Sequence, residues 1–356
     1  MGWSRFPLVF FILRGQPGRR GRVCVRANVK AGDKIVGKID LSKYKDLPVI
    51  GFQPFGDVVM DFSQHPRWEI PRKIAIILAP TGAFVTRDQN PNQPYTVEEI
   101  IKESIDGVEA GACSVHVHVR DEKGFPSGDR DMTEKVVKAL RHRFGPSIHI
   151  DGEALFGKNF IEMMEPIVEN FYESAAVNCH ADFMGDTLSY LSPQSCRATA
   201  EVLQVHGKKP LLAVYNPGDI DNTYRWLIRP GVVKPPLSWI VLPGMPGGSP
   251  MYDPLGMAET LLHMIRRIKD VDKTEQPSIT VAACGRASSY LTTLAIVLGY
   301  NVRVGKEDTI YKYPHSDDVT LTNKDIVEQT VTIARMLGRE PMTGPEYREV
   351  LGMKPL

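Results

Sequence analysis

From Lys73 onward, short apolar runs alternate without interruption with amphipathic stretches, and this alternation admits few folds. The runs are Lys73–Pro80, Ser114–Arg120, Ile148–Leu155, Ala175–Ala181, Pro210–Asn216, Ser238–Gly244, Ser278–Gly285 and Asn301–Asp308. Most are apolar nearly throughout, the pattern of parallel strands covered on both faces. Between them lie helical patterns at Thr96–Gly111, Thr133–Phe144, Asn159–Tyr172, Pro193–His206, Gly256–Ile268 and Ala287–Leu298, and a final one follows at Asn323–Leu337. Thr96-Val97-Glu98-Glu99 reads as a helix start with acids in its first turn, and Gly111 as the stop. Uninterrupted βα alternation implies a parallel sheet. Units in this number close a (β/α)8 barrel, whose typical length of ~250 residues fits the stretch from Lys73 to the end. A doubly wound open sheet competes, but no GxGxxG follows the first run and no GxxxxGK[ST] occurs in the chain.

The 356 residues would fit two average domains, yet barrels of this class use as many in one. Residues 73–356 are expected to form the catalytic barrel, 33–72 an irregular N-terminal extension, and 1–32 a basic leader or disordered arm. Between Met1 and Lys30 there are several arginines and no acid, a composition that fits an organelle transit peptide, a disordered arm or an upstream start codon. The expected compartment is the cytoplasm, with organellar import left open by that leader. Lys+Arg at 43 against Asp+Glu at 42 gives no basic field, which speaks against nucleic acid as a partner. No run approaches the roughly 18 apolar residues of a membrane span. Cys24, Cys113, Cys179, Cys196 and Cys284 are scattered without a CxxC pair, which fits a reducing compartment and buried, packing thiols.

The chemistry concentrates in Cys113-Ser114-Val115-His116-Val117-His118-Val119-Arg120. Alternate residues of a strand share a face, so His116 and His118 point the same way, with the valines opposite. Neutral imidazole is a common ligand for zinc and its transition-metal neighbours, and a catalytic site needs a third protein ligand and an open position. The bland alternative is a pair of hydrogen-bonded core histidines. Barrel chemistry sits at the C-terminal strand ends. The last run ends Arg303-Val304-Gly305-Lys306-Glu307-Asp308, and in a closed barrel the second and eighth strands both flank the first. Glu307, which alone would read as part of a solvated turn, is thereby brought within reach of the histidine pair as a third ligand.

These segments resemble the β-keto acid cleavage enzyme family. Ala79-Pro80-Thr81-Gly82-Ala83 is similar to its A-x-T-G-A strand end, and Asn90-Pro91 with Pro94-Tyr95-Thr96 to the approach to its first helix. Glu109-Ala110-Gly111-Ala112 leads into His116-Val117-His118-Val119-Arg120 as in the family. Gly244-Met245-Pro246-Gly247-Gly248 resembles its glycine loop, and Arg303 to Asp308 its R-x-G-x-E-D strand end. The resemblance implies a zinc-dependent barrel enzyme that exchanges acyl groups between a β-keto acid and acetyl-CoA, giving acetoacetate and a new acyl-CoA. It implies Zn2+ on His116, His118 and Glu307, Asp308 as catalytic base, and Arg303 as its partner. Arg303 and Lys306 are expected to keep Asp308 ionised by lowering its pKa. The substrate-binding set is expected to comprise Thr81, Gly82, Asn178, Gly247, Gly248 and Arg286. Within it, the Pro246-Gly247-Gly248 turn would leave backbone N–H groups of its glycines as oxyanion donors, and Arg286 would steer an anionic group. A homo-oligomer, dimer or tetramer, is expected by analogy.

The chain also departs from the family. After Thr81-Gly82-Ala83 the family's amino-keto-acid member carries a glutamate that receives the substrate's amino group, where this chain has Phe84. Asp151-Gly152-Glu153-Ala154 stands where a Ser-Thr-Gly-Gly run is expected, Cys179-His180-Ala181-Asp182 follows Asn178, and Tyr215-Asn216-Pro217 replaces Tyr-Glu-Ser. Loss of the counter-charge argues against a cationic amino-keto acid. His180 is either a fourth ligand, an acid–base group or a satisfied core histidine. The competing functions are a metal-dependent carbon–carbon lyase or hydrolase on the same site, and a barrel that binds without turnover.

Overall fold

The computed structural model describes residues 40–47, 62–248, 253–275 and 277–356. The chain divides into two compact units, Met1–Pro66 and Arg67–Leu356. In the first, the described residues hold two single 3₁₀ turns. Leu41–Tyr44 is capped by Asp40, whose carboxylate accepts the Ser42 amide at 3.1 Å, and Phe62–Gln64 is the other. The leader expected over residues 1–32 lies outside the described residues.

The second unit is a closed barrel of parallel strands in chain order. The strands are β1 (Ile76–Leu78), β2 (Ser114–Val117), β3 (His149–Gly152), β4 (Ser174–Asn178), β5 (Lys209–Val214), β6 (Ser238–Val241), β7 (Ser278–Val281) and β8 (Asn301–Val304). Closure is made by β8 on β1, where Val302 pairs with Ile76 and Val304 with Leu78. The alternation of side chains sorts each strand into two cores. Ile76, Leu78, Val115 and Val117 face outward into the layer under the helices, while Ala75, Ile77, Leu211, Ala213 and Ile240 fill the barrel interior. That double burial is why the runs read as almost wholly apolar.

The helices α1 (Val97–Glu109), α2 (Arg130–Phe144), α3 (Phe160–Val168), α4 (Pro193–Val205), α5 (Pro217–Thr223), α6 (Pro254–Val271), α7 (Ser288–Val297) and α8 (Asn323–Met336) each follow a strand. Thr96 caps α1 in a reciprocal box with Glu99, as its sequence predicts. Helix α5 has no clear period in the sequence; it is a short turn started by Asn216, whose side chain accepts the Gly218 and Asp219 amides. A last helix, α9 (Gly344–Val350), closes the N-terminal end, with Tyr347 and Leu351 packed into the interior core. Above that plug, His149 lies between Ser114 and Ser174, its ring nitrogens 2.8 and 3.2 Å from their hydroxyls. Burial lowers its pKa to about 4, which keeps it neutral.

The strands are shorter than the apolar runs because the run ends leave the sheet to build the mouth. One such departure is a hairpin, Ala181–Met184 with Thr187–Tyr190. Cys113, Cys179, Cys196 and Cys284 are free and buried. No helix among the described residues is long and apolar enough to cross a membrane.

Candidate metal and active site

His116 lies on β2 and His118 just past its end, so both imidazoles enter the barrel mouth with their Nε2 atoms 2.9 Å apart. Glu307 arrives from the turn after β8, with Oε1 3.6 Å from each of those nitrogens. One ligand atom from each of His116, His118 and Glu307 falls within 4.8 Å of the others. An ion about 2 Å from each donor fits that spacing.

Three further observations fit a cation there. Asp151, which pairs with His116 across the β2–β3 ladder, holds His116 Nδ1 and so aims the Nε2 lone pair into the site. Such a carboxylate–histidine pair is the usual outer support of a metal ligand. Glu307 Oε2 is buried without a hydrogen-bond partner, an arrangement that is costly unless something positive meets it. Burial drives His118 down to about 4, leaving it neutral and able to coordinate. Burial also opposes charge on His116, but Asp151 and Glu307 outweigh it and raise that group to about 9. The site attracts positive charge, whether a proton or a metal ion.

Beside the triad, Arg303 grips Asp308 with Nη2–Oδ1 at 2.5 Å and Nε–Oδ2 at 3.2 Å, and its Nη2 lies 3.2 Å from Glu307 Oε1. The lowering of the Asp308 pKa expected from its neighbouring cations does not prevail in the site. Burial, opposed by Arg303 and reinforced by Glu307, pushes Asp308 up to about 6 rather than down. Lys306 takes no part, because its Nζ turns away to Glu103 at 3.0 Å and the carbonyls of Asn92 and Leu321 at 2.7 and 3.1 Å. It anchors the turn instead. Gly305 makes the turn possible, since a Cβ there would lie 2.0 Å from the Ala79 carbonyl oxygen.

The other expected site residues are placed unevenly. Gly82, at φ +59°, backs directly onto Glu307. Thr81 is buried, with its hydroxyl donating to the Pro94 carbonyl at 2.6 Å and receiving Arg120 Nε at 2.8 Å. Asn178 sits behind the cavity wall, its amide 3.4 Å from Glu153 Oε2 and its oxygen accepting the Tyr215 hydroxyl at 3.2 Å. The Gly248 amide donates to the Met245 carbonyl at 3.1 Å, so it is not offered to an oxyanion. Gly247, at φ +89°, lets its loop press against the hairpin, where a Cβ would meet the Phe183 carbonyl at 2.8 Å. His180 Nε2 is 2.8 Å from the Ser189 hydroxyl, and the ring is not part of the triad. Arg286 is half exposed at the rim, stacked 3.8 Å over the Tyr311 ring and paired with Asp317.

Glu153 joins the site without a role assigned from sequence. Its Oε1 is 3.9 Å from His116 Nε2, and burial with nearby Glu307 and Asp151 raises it to about 7, against the pull of His116 and Arg303. The signal was parity: Asp151 and Glu153 share one face of the third run. A cavity of about 40 Å³ opens over His118, Glu153, Arg303, Glu307 and Asp308. A larger groove of about 580 Å³, lined by Pro246, Met257, Arg286, Tyr290 and Tyr311, meets it at Cys284.

A closed (β/α)8 barrel with metal-ligating side chains and further carboxylates converging at its C-terminal mouth defines the class of a barrel enzyme with a candidate metal centre. The model of the beta-keto acid cleavage enzyme family matches residues 73–353. The 3-keto-5-aminohexanoate cleavage enzyme of Fusobacterium nucleatum is 32% identical over 286 residues, covering 79% of this chain and 98% of that one. The 3-dehydrocarnitine:acetyl-CoA trimethylamine transferase of Rhizobium meliloti is 25% identical, covering 77% and 94%. Among solved structures, the binary complex of ObcA with oxaloacetate aligns with a TM-score of 0.63 at 17% identity, covering 74% of this chain and 68% of that one. The chain belongs to the β-keto acid cleavage enzyme family.

Proposed function

We propose that this chain exchanges acyl groups between a β-keto acid and acetyl-CoA at a zinc ion held by His116, His118 and Glu307, releasing acetoacetate and a new acyl-CoA. The observation that carries this reading is the adjacency of the donor triad to the Arg303–Asp308 fork at the floor of one cavity. Relatives named as acetyl-CoA transferases support the co-substrate. When bound, the metal would supply a Lewis acid that polarises the keto acid's carbonyl and so acidifies the neighbouring methylene.

The chain's own residues then divide the work. Asp308 takes a proton from C2 of R–CO–CH2–COO⁻, and Arg303 holds the carboxylate in place for it. The C2 carbanion attacks the acetyl-CoA carbonyl and expels the CoA thiolate. That thiolate attacks the R–CO carbon, the C2–C3 bond breaks, and Asp308 returns its proton to the departing carbanion. The products are R–CO–SCoA and CH3–CO–CH2–COO⁻, so atoms and charge balance. Asp308 lies against Arg303 at the cavity floor, where a positioned carboxylate can exchange a proton with the substrate methylene. The groove that meets the cavity at Cys284 would receive acetyl-CoA, with Arg286 at its rim for the phosphates.

Mass spectrometry of zinc-loaded protein with acetyl-CoA and a panel of β-keto acids tests this. Equimolar acetoacetate and new acyl-CoA are expected. Products formed equally without acetyl-CoA would replace this reading by a lyase or hydrolase.

A further inference from the structure

The cavity has two chemically distinct halves. Its floor carries the charged groups His118, Glu153, Arg303, Glu307 and Asp308. Its walls and roof are mostly apolar, with Phe84, Leu155, Phe156, Met184, Leu242 and Met245 beside Tyr215 and Cys284. These come from separate loops after β1, β3, β4 and β6, so the apolar surface is assembled rather than an accident of one segment. Phe156 stacks edge-on against His118 at 5.6 Å, which fixes where the apolar wall meets the donor triad. The Met184 hairpin and the Met245 loop are tied together by the Gly185 amide donating to the Pro246 carbonyl at 2.8 Å.

Among the described residues, the lining offers no free counter-charge to the far end of a substrate. Arg303 is the one arginine or lysine among its described residues, and that guanidinium is engaged by Asp308 and Glu307. Glu153 is an acid, but its polar neighbours are His116 Nε2 at 3.9 Å and the Asn178 amide at 3.4 Å, which set it at the reacting end. A charged tail reaching the walls would be desolvated without a partner.

We propose that the β-keto acid taken here carries an uncharged, apolar group beyond its ketone, a straight or branched alkyl chain. This rests on the reading of the site as a β-keto acid and acetyl-CoA exchange centre.

The test compares 3-oxohexanoate and 4-methyl-3-oxopentanoate with 3-oxoadipate, whose tail is anionic, and 5-amino-3-oxohexanoate, whose tail is cationic. The neutral substrates are expected to lead in kcat/KM by about 100-fold or more, in line with the cost of an unpaired charge. Met184→Lys, which places a cation in the roof on a side chain of similar length, is expected to raise 3-oxoadipate relative to 3-oxohexanoate by about 10-fold. Equal or better turnover of either charged substrate by the native enzyme overturns the proposal. Calorimetric binding of the corresponding β-hydroxy acids, which cannot be cleaved, to metal-loaded protein gives the second readout. If no keto acid is turned over with acetyl-CoA, the reaction reading fails, while the order of β-hydroxy acid binding still decides the tail: neutral tightest supports the proposal, charged tightest overturns it.

Discussion

Gly82 and Glu307 occupy one space: a Cβ at position 82 would lie 2.1 Å from Glu307 Cγ and 2.7 Å from its Cβ. The glycine at the end of the first run is therefore what lets the glutamate after the last strand lean over the histidine pair. The geometry of the triad thus depends on a residue that holds no charge.

Gly82→Ala is expected to displace Glu307 and lower zinc affinity at least tenfold. The left-handed φ of +59° adds a cost of about 1–2 kcal/mol to folding. Competition titration with a chromophoric chelator reads the affinity, and a thermal melt reads the stability. Unchanged affinity would mean Glu307 does not serve as a ligand.

Asp151→Asn keeps the shape of the group behind His116 but replaces its carboxyl group by an amide. Zinc affinity is expected to fall about 10–100-fold, the usual effect of removing an outer support. The same titration measures it, and circular dichroism checks that the barrel persists.

Asp308→Asn tests the base. Turnover is expected to fall about 100- to 10,000-fold with stoichiometric zinc retained, as loss of a general base predicts. Elemental analysis beside steady-state kinetics separates the two quantities. Full turnover in this variant would remove Asp308 from the chemistry.

At the other end of the barrel, Glu173 is held between Arg348, at 2.5 and 2.9 Å, and Arg141. Burial opposes its charge, but Arg348, His149 and Arg141 prevail and lower its pKa from 4.5 to about 2. Because the folded value is depressed, its contribution is fully present above about pH 4.5 and is lost as pH falls toward 2; that shift corresponds to about 3 kcal/mol. Urea melts of native protein and Glu173→Gln from pH 7 to pH 3 should show a steeper acid loss for the native chain. Parallel curves would show that Glu173 is not a determinant of acid stability.

Much of this was legible in the sequence, for physical reasons. Strands buried on both faces are apolar in both parities, so the barrel announced itself, and closure brought β8 and β2 to either side of β1. The histidine pair was visible because strand alternation is local. Asp151 escaped assignment because its meaning depends on register, the pairing of His116 with that residue across the ladder. The sense of the Asp308 shift escaped because burial is not written in neighbouring residues, and Lys306 misled because a turn reverses direction within two positions. Helix α5 escaped because capping by Asn216, not period, defines it.

The measurement that tests the central claim most directly is zinc titration of chelator-stripped protein, followed by acyl-CoA formation from acetyl-CoA and 3-oxohexanoate. Activity should be absent in stripped protein, rise linearly and break at one zinc per chain, and not be restored in His116→Ala/His118→Ala. Full turnover by the stripped chain, or by the double variant, would contradict a metal-centred exchange at this site.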